Sequence, residues 1–453
     1  MHSCVHSWSR ARALAAGAVP ALLAERLPLS AAVGRVLVTP LAALTDLPAF
    51  DSSAMDGWAV SGPGPWRVRD TPVLAGDTCG PLAPGDAVAV ATGAQVPAGA
   101  SSVLRSEDAE WVDPLRNDAP PDGPTGALLA ARRGRPAVGR DIRPRGQECR
   151  AGDALLPAGT PVTPAVVALA AACGYDTLAV SGRPTADLLV LGDELLDRGL
   201  PGRGRVRDAL GPLLVPWLDA LGARVGTHRR VPDELDALRT ALARSTADVV
   251  LTTGGSARGP VDHVRRALEA LGARTLVGGV AVRPGHPMLL AVLPDGRPVV
   301  GLPGNPLAAV AATATLAVPV LRTLAGLPPA AATGLPAGVR MAGCAPSTAL
   351  LPVAVRGGAV HPLDYHGPAM LRGLAACDAL AVVPPRGAEA GTVVELLPRP
   401  GEATVRGAGP LPVPARVLPG AAPASAPVSA SARASAAAPA SASSPAARDG
   451  VAA

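Results

Sequence analysis

The sequence predicts a multidomain α/β protein centred on a three-layer, mostly parallel α/β domain. Three observations predict it. From about 185 to 326, apolar runs of strand length alternate with amphipathic segments of helix length. From about 60 to 140, short apolar pieces are spaced by turns, which is the pattern of a small β-rich module. Short strands return over 335–400 as a small β-barrel or sandwich, before a stretch from about 413 that is almost wholly Ala, Ser and Pro and is expected to be disordered.

The totals set limits on class. At 453 residues the chain has room for roughly two to four domains. Hydrophobic residues make up 48% and aromatic ones 2%, so the cores must be built from Leu, Val and Ala. There is no Lys, and Asn occurs only at 117 and 305, so an Arg where a relative has Lys means little and an Asn means more. The net charge of +5 comes from scattered Arg residues with no basic block, which argues against a nucleic-acid partner. The six Cys form no CxxC pair and have no metal-ligand spacing with the His residues. Isolated thiols fit a reducing cytoplasm. No signal-like start and no uninterrupted apolar span of ~18 residues is found, so a cytoplasmic protein off the membrane is expected.

In chain order, residues 8–38 read as a helix, a proline break and a short helix entering a strand. The segment 46–60 holds the only Phe, Phe50, with Asp51, Ser52, Ser53 and Asp56 in a turn-rich setting. Residues 139–159 look like a hairpin, followed by a helix over 164–173 and a strand near 177. A strand over 187–191 ends in Gly192-Asp193-Glu194, and a helix lies around 211–221. The run 248–253 breaks into Gly254-Gly255-Ser256 before an amphipathic segment over 261–271. Two more apolar runs end in Arg283-Pro284-Gly285-His286 and in Pro303-Gly304-Asn305. A strand, a small-residue turn and a helix aim bare backbone N–H groups at an anion. Three such turns would line one edge of a sheet, where open α/β folds bind ligands. In a chain with 51 Gly and 51 Pro, each turn taken alone is equally an ordinary loop.

The segments LPAFDSSAMDGWAV (47–60), ATGAQVPAGASSVLRSED (91–108), GRDIRPRGQECRAGDALL (139–156), LGDEL (191–195), TTGGSARGPVDHV (252–264), VRPGHP (282–287) and GLPGNPLAA (301–309) occur in the order of the molybdopterin molybdotransferase family. The chain resembles the MoeA proteins and the E domain of gephyrin over roughly 8–400. The resemblance implies an N-terminal lobe in two parts over 1–184, a MogA/MoaB-like α/β domain over 185–326 and a C-terminal β-barrel over 327–412. It implies that adenylylated molybdopterin and molybdate are substrates, that Mg²⁺ assists release of AMP, and that the protein is a homodimer. Asp56 matches the critical family aspartate, and Thr92, Gly93, Glu194 and Asp262 match other site positions.

Chemistry agrees with those roles. Hydrolysis of a phosphoanhydride needs a cation to neutralise charge and carboxylates to hold it or to orient water. Asp56 and Glu194 are the catalytic candidates, and Asp56, Asp208 and Asp262 the metal ligands. Ser53, Thr92, Gly93, Gly254, Gly255, Asp262, Arg283, His286, Pro303, Gly304 and Asn305 are the substrate-binding candidates. Glu194 could instead cap a helix, and Asp262 could simply favour a helix dipole.

Departures from the family pattern cluster on one function. Ala257 replaces a serine, Pro260 a carboxylate, His286 a lysine, and Pro352 and Pro368 an arginine and a serine of the barrel. An oxyanion site needs fixed donors and positive charge, so the molybdate side is less complete than the nucleotide side. Two classes stay open, a transferase that completes molybdenum cofactor synthesis and a binding module for molybdopterin or its nucleotide form. An interaction scaffold is a third.

Overall fold

Alternation along the strands decides the centre of the fold. In the strand Thr185–Leu191, Leu188 and Val190 join one apolar cluster while Leu189 and Leu191 join another, because successive side chains leave opposite faces. In Val249–Thr253, Leu251 and Val250 divide the same way. Strands apolar on both faces need a cover on both. The structure, a computed structural model, describes residues 5–112, 128–256 and 263–411. The Ala/Ser/Pro stretch lies outside them.

The central sheet runs Arg224–Val231, Thr185–Leu191, Val249–Thr253, Pro298–Leu302, Leu289–Val292, Arg274–Val277. Its first four strands are parallel, Leu289–Val292 runs antiparallel to them, and Arg274–Val277 runs antiparallel to Leu289–Val292. Leu210–Ala220 and the helical run 306–324 pack on one face, and Leu235–Arg244 and Val264–Ala270 on the other. The expected three-layer, mostly parallel domain is what forms.

Pro306–Leu324 is the one described helix long and apolar enough to cross a membrane, with a mean hydropathy of 1.7, but 83% of that window is buried inside the protein. It is a core helix. Over Thr313–Ala317 it widens into a π turn, and Pro319 explains why a carbonyl is left over there. Proline has no N–H, and in a π ladder residue 319 would serve the carbonyl of Ala314. That carbonyl instead accepts from Arg12 Nη1 at 2.8 Å, while Trp8 Nε1 donates to Thr315 Oγ1 at 3.1 Å. Both donors stand one turn apart on Trp8–Ala16, and the Arg12 guanidinium lies 4.9 Å from the Trp8 ring centre. Trp8–Ala16 falls in the stretch that the sequence assigns to the N-terminal lobe. Its buried face, Trp8, Ala11 and Ala15, belongs to the core of the α/β domain.

The lobe between 24 and 181 has cores of its own. Its β-rich part is a six-stranded sheet, Ser102–Arg105, Gly57–Val60, Asp86–Val90, Trp66–Val73, Leu128–Ala131, Ala109–Val112. Gly57 pairs on both sides, with Val90 and Arg105, and a Cβ there would stand 2.1 Å from the Leu104 carbonyl oxygen. Only glycine fits. The hairpin expected over 139–159 does not form. Ile142–Arg143 pairs with Ser52–Ser53 and Ala154–Leu156 with Leu41–Ala42, so each arm takes its ladder partner from residues 41–53 rather than from the other arm.

The C-terminal sheet is an open, curled half-barrel of the order His6–Ser7, Val280–Arg283, Thr348–Arg356, Ala379–Val383, Val393–Pro398, Thr333–Pro336, Gly409–Pro410. Two of its strands come from outside 327–412. Val280–Arg283 is one, so the turn after Arg283 does not end a strand of the α/β sheet, contrary to the sequence reading of three turns on one sheet edge.

The π turn carries the first testable consequence. Arg12→Met keeps the stem of the side chain and strips the donor from a buried carbonyl, which costs about 1–3 kcal/mol. Urea unfolding should show that loss, and an unchanged midpoint would mean that Ala314 finds another donor.

Candidate functional site

Three strand ends meet in one place. Gly254 follows Val249–Thr253, and its N–H donates to the Leu302 carbonyl at 3.0 Å. Its φ is +83°, a conformation that costs glycine little. A Cβ on it would stand 3.0 Å from the Leu191 carbonyl oxygen, and a Cβ on Gly304 3.6 Å from the Gly254 Cα. The turns after Leu191, Thr253 and Leu302 are therefore close-packed at the carboxyl edge of neighbouring parallel strands, the position where open α/β sheets take ligands. Gly255, with φ +61°, continues the turn, and Pro303 is buried beneath it while Gly304 and Asn305 are exposed.

Asn305 occupies the N-cap position of Pro306–Ala312, yet its side chain makes no capping hydrogen bond. Asparagine at that position ordinarily accepts from the first turn. Here the Ala308 N–H is taken by the Pro368 carbonyl at 3.2 Å, which brings the loop of the C-terminal region to the start of the helix. The turn with Arg283 and His286 packs against the same helix, since a Cβ on Gly285 would lie 3.1 Å from the Ala308 carbonyl oxygen. Arg283 is exposed at its strand end. His286 Nδ1 lies 2.8 Å from the Val280 carbonyl. A carbonyl only accepts, so Nδ1 carries the proton and the neutral ring presents Nε2 as an acceptor. It offers an anion no donor there until it is protonated.

The other flank is acidic. Asp193 and Glu194 are exposed at the end of Thr185–Leu191, and Asp233 follows the neighbouring strand Arg224–Val231. The Asp193 N–H donates to Asp233 Oδ2 at 3.1 Å. Burial pushes the Asp233 carboxyl up, the charges of Asp193 and Glu194 push the same way, and that N–H and His263 pull it down. Asp233 was not among the sequence candidates. Its one signal was a carboxylate immediately after the end of a strand that borders Thr185–Leu191.

Asp208 lies beside the Glu194 segment, its N–H donating to the Leu196 carbonyl at 3.0 Å. Its Oδ1 accepts from the backbone N–H groups of Leu210 and Gly211 at 2.9 and 3.1 Å, capping the helix Leu210–Ala220. That cap engages one carboxylate oxygen, and a metal ligand at Asp208 remains a proposal. Asp262, like Ala257 and Pro260, lies outside the described residues.

Asp56, Ser53, Thr92 and Gly93 form a second cluster, in the lobe. Asp56 is exposed and its Oδ1 accepts from the Thr92 N–H at 2.8 Å. Ser53 is fully buried. Its Oγ donates to the Met55 carbonyl at 2.5 Å and its own carbonyl accepts from Gly93 at 2.9 Å. Ser53 thus shapes the turn, while Asp56 keeps one oxygen turned to solvent. Behind it, Arg105 grips Asp141 with two bonds of 2.9 Å, and the Asp141 carbonyl accepts from Ala54 at 2.8 Å. The hydrogen bonds that hold Asp56 stay within the lobe, so the acid and the strand-end turns sit in separately cored bodies.

Comparison with known proteins follows this geometry closely. The family model of the MoeA N-terminal region (domains I and II) matches residues 6–174. That of a probable molybdopterin-binding domain matches 187–323, and that of the MoeA C-terminal region (domain IV) matches 335–398. The molybdopterin molybdenumtransferase of Synechococcus elongatus is 34% identical over 302 residues, which is 63% of this chain and 72% of that one. The Nostoc protein of the same name is 31% identical over 324 residues, 67% and 70% of the two chains. A crystal structure of a molybdopterin biosynthesis MoeA protein from Pyrococcus superposes with a TM-score of 0.71 at 24% identity, over 87% of this chain and 98% of that one. That last likeness is one of fold.

The Arg105–Asp141 pair yields a pH-dependent prediction. Hydrogen bonds from Arg105 hold the Asp141 carboxyl below its ordinary value. A depressed carboxylate contributes stability that is fully present above the unfolded value, ~3.9, and is lost as pH falls through the folded one. Arg105→Met should lower the melting temperature of the lobe at pH 7 by ~2–4 °C, and the gap to wild type should begin to narrow only as pH falls below ~3.9. A gap that widens on acidification would show that another pair dominates.

Proposed function

The chain belongs to the molybdopterin molybdenumtransferase family and acts in molybdenum cofactor biosynthesis, and on that premise we propose which residues carry the transfer and how. The substrates are adenylylated molybdopterin and molybdate. Water attacks the adenylate phosphorus, the bond to the pterin phosphate breaks and AMP leaves; the two dithiolene sulfurs then bond to molybdate, and an oxide of the oxyanion leaves as water with the two thiol protons. The observation that carries this reading is the convergence of three glycine turns at one strand edge, each of them in a segment that matches the family.

In this reading the N–H groups of Gly255 and Gly304 cradle phosphate, Gly254 shapes the turn with its own N–H held by the Leu302 carbonyl, and Asn305, free of capping duty, turns its amide to the pterin. Arg283 supplies fixed positive charge. Asp56 orients water with the oxygen that Thr92 leaves free. Among the described residues no three His, Cys, Asp or Glu side chains converge as a metal cage. Glu194 and Asp233 fit the other way of holding Mg²⁺, in which the ion keeps its waters and takes one or two carboxylates and the phosphates of the substrate. Bound there, the ion would neutralise phosphate charge. Asp262 would join them if it follows the family.

Asp56 would serve the strand-end turns of a second copy. What supports a composite, homodimeric site is that Asp56 is bonded only within its lobe, which has cores separate from that of the α/β domain. Placement in the cytoplasm is part of the same proposal, supported by five described cysteines that are all free. One observation favours the alternative of a molybdopterin carrier. Pro352 and Pro368, which the resemblance sets against an arginine and a serine of the family, have side chains with nothing to donate, and the His286 ring already spends its Nδ1 proton on the Val280 carbonyl.

Purified protein given adenylylated molybdopterin, Mg²⁺ and molybdate should release AMP. Asp56→Asn keeps shape and removes charge, so it should cut that release by at least 100-fold while nucleotide binding persists. If wild type releases no AMP at any molybdate level yet binds the nucleotide tightly, the carrier reading replaces the enzyme.

Light scattering at micromolar concentration should give twice the mass of the chain. A monomer that still releases AMP would overturn the shared site while leaving the reaction intact.

A further inference from the structure

A cavity of about 630 Å³ lies where the three connections between the lobe, the α/β domain and the C-terminal sheet pass one another. The Leu22 N–H donates to the Leu324 carbonyl at 2.9 Å, Arg35 Nη1 donates to the Ser181 carbonyl at 3.1 Å, and a Cβ on Gly326 would lie 3.3 Å from that of Ser181. The cavity is remote from the candidate site. Arg183 and Gly222, on its wall, precede the amino ends of Thr185–Leu191 and Arg224–Val231, whereas the glycine turns follow the carboxyl ends. A strand of seven residues puts roughly 20 Å between those ends.

Four guanidiniums line it, those of Arg12, Arg35, Arg183 and Arg322, against two carboxylates, those of Asp219 and Glu402. The carboxylates are already engaged. Asp219 takes Arg183 at 2.8 Å, Glu402 takes Arg399 at 2.7 Å, and Arg35 has Glu25 at 3.8 Å. Among the described residues neither Arg12 nor Arg322 has an ion pair. Each donates to a backbone carbonyl, Ala314 for Arg12, which also lies over the Trp8 ring, and Pro328 for Arg322. Burial holds both below the ordinary arginine range, and Arg322 adds repulsion at Arg12. Glu395 attracts Arg12 from a neighbouring strand, but its own burial pushes it toward the neutral acid. Two partly dehydrated cations thus face one cavity whose remaining wall, Trp217 and Val318 among it, is apolar.

A cavity of this size with an apolar wall and convergent charge suits a small molecule, and fixed cations without a carboxylate in contact select its sign. We propose that the junction cavity is a second ligand site, taking a small organic anion in which a carboxylate, sulfonate or phosphate is carried on a flat apolar body. Its occupant touches all three bodies at once and would bind more tightly to the lobe orientation in which the cavity is formed.

The probe is 8-anilinonaphthalene-1-sulfonate, titrated into the full-length chain. Dye emission should rise and tryptophan emission fall together, saturating at one dye per chain. Arg322→Gln should weaken binding at least tenfold, Arg322→Lys less, and the exposed control Arg386→Gln not at all. Ala220→Trp, which blocks the cavity from its exposed rim, should weaken it comparably and keeps the test open if Arg322→Gln fails to fold. The uncharged relative N-phenyl-1-naphthylamine should compete at least tenfold less well. Equal competition by that amine, unchanged affinity in a folded Arg322→Gln, or dye uptake that never saturates would each overturn the proposal.

Discussion

One buried carbonyl organises much of this molecule. A helix packed on all sides must pair its backbone groups internally or find partners in the surrounding protein, and Pro319 denies the Ala314 carbonyl its partner within the helix. The donor that replaces it, Arg12, comes from 302 residues earlier in the chain. With Trp8 bonded beside it, the first helix is fixed against the central one. The strand His6–Ser7 is then placed to pair with Val280 and Ala281 in the C-terminal sheet. The start of the chain therefore stitches two of its bodies together, and the lobe is an insertion between that helix and the first strand of the α/β sheet.

The same helix positions the candidate site from its other end. Four of its first seven residues are alanine, and all four, Ala308, Ala309, Ala311 and Ala312, are buried. Small side chains let the turn at Gly285 approach to contact and let the Pro368 carbonyl reach the Ala308 N–H. A larger residue at those positions would push the cationic turn and the C-terminal loop away from Gly304 and Asn305. Composition that looks like drift toward alanine is, on this face, a steric requirement.

The sequence made the sheet legible and hid part of the site, for a common reason. Runs such as 187–191 and 248–253 are apolar throughout because both faces are buried, and that signal is local. Partnership is not local. The arms at 142–143 and 154–156 resemble a hairpin because they are near in sequence, but their ladder partners lie about a hundred residues earlier. Asp208 and Asp233 are indistinguishable as single acids beside an apolar run. Only the fold shows one oxygen of Asp208 capping a helix and Asp233 bonded to the Asp193 N–H at the strand edge. Asp56 stood out because it matches the family's critical aspartate, and the glycine that follows it is demanded by the Leu104 carbonyl on the neighbouring strand.

The bond from Trp8 to Thr315 spans 307 residues, and this has a consequence during synthesis. At ~5–20 residues per second a ribosome takes roughly 15–60 seconds to deliver the central helix after the first one has emerged. The nascent chain spends that interval with the buried face of its first helix uncovered. The lobe, whose own cores close within residues 24–181, can fold in the meantime and bring its two ends together. The first helix is thereby kept near the tunnel exit where its partner will appear, so the insertion itself shortens the search.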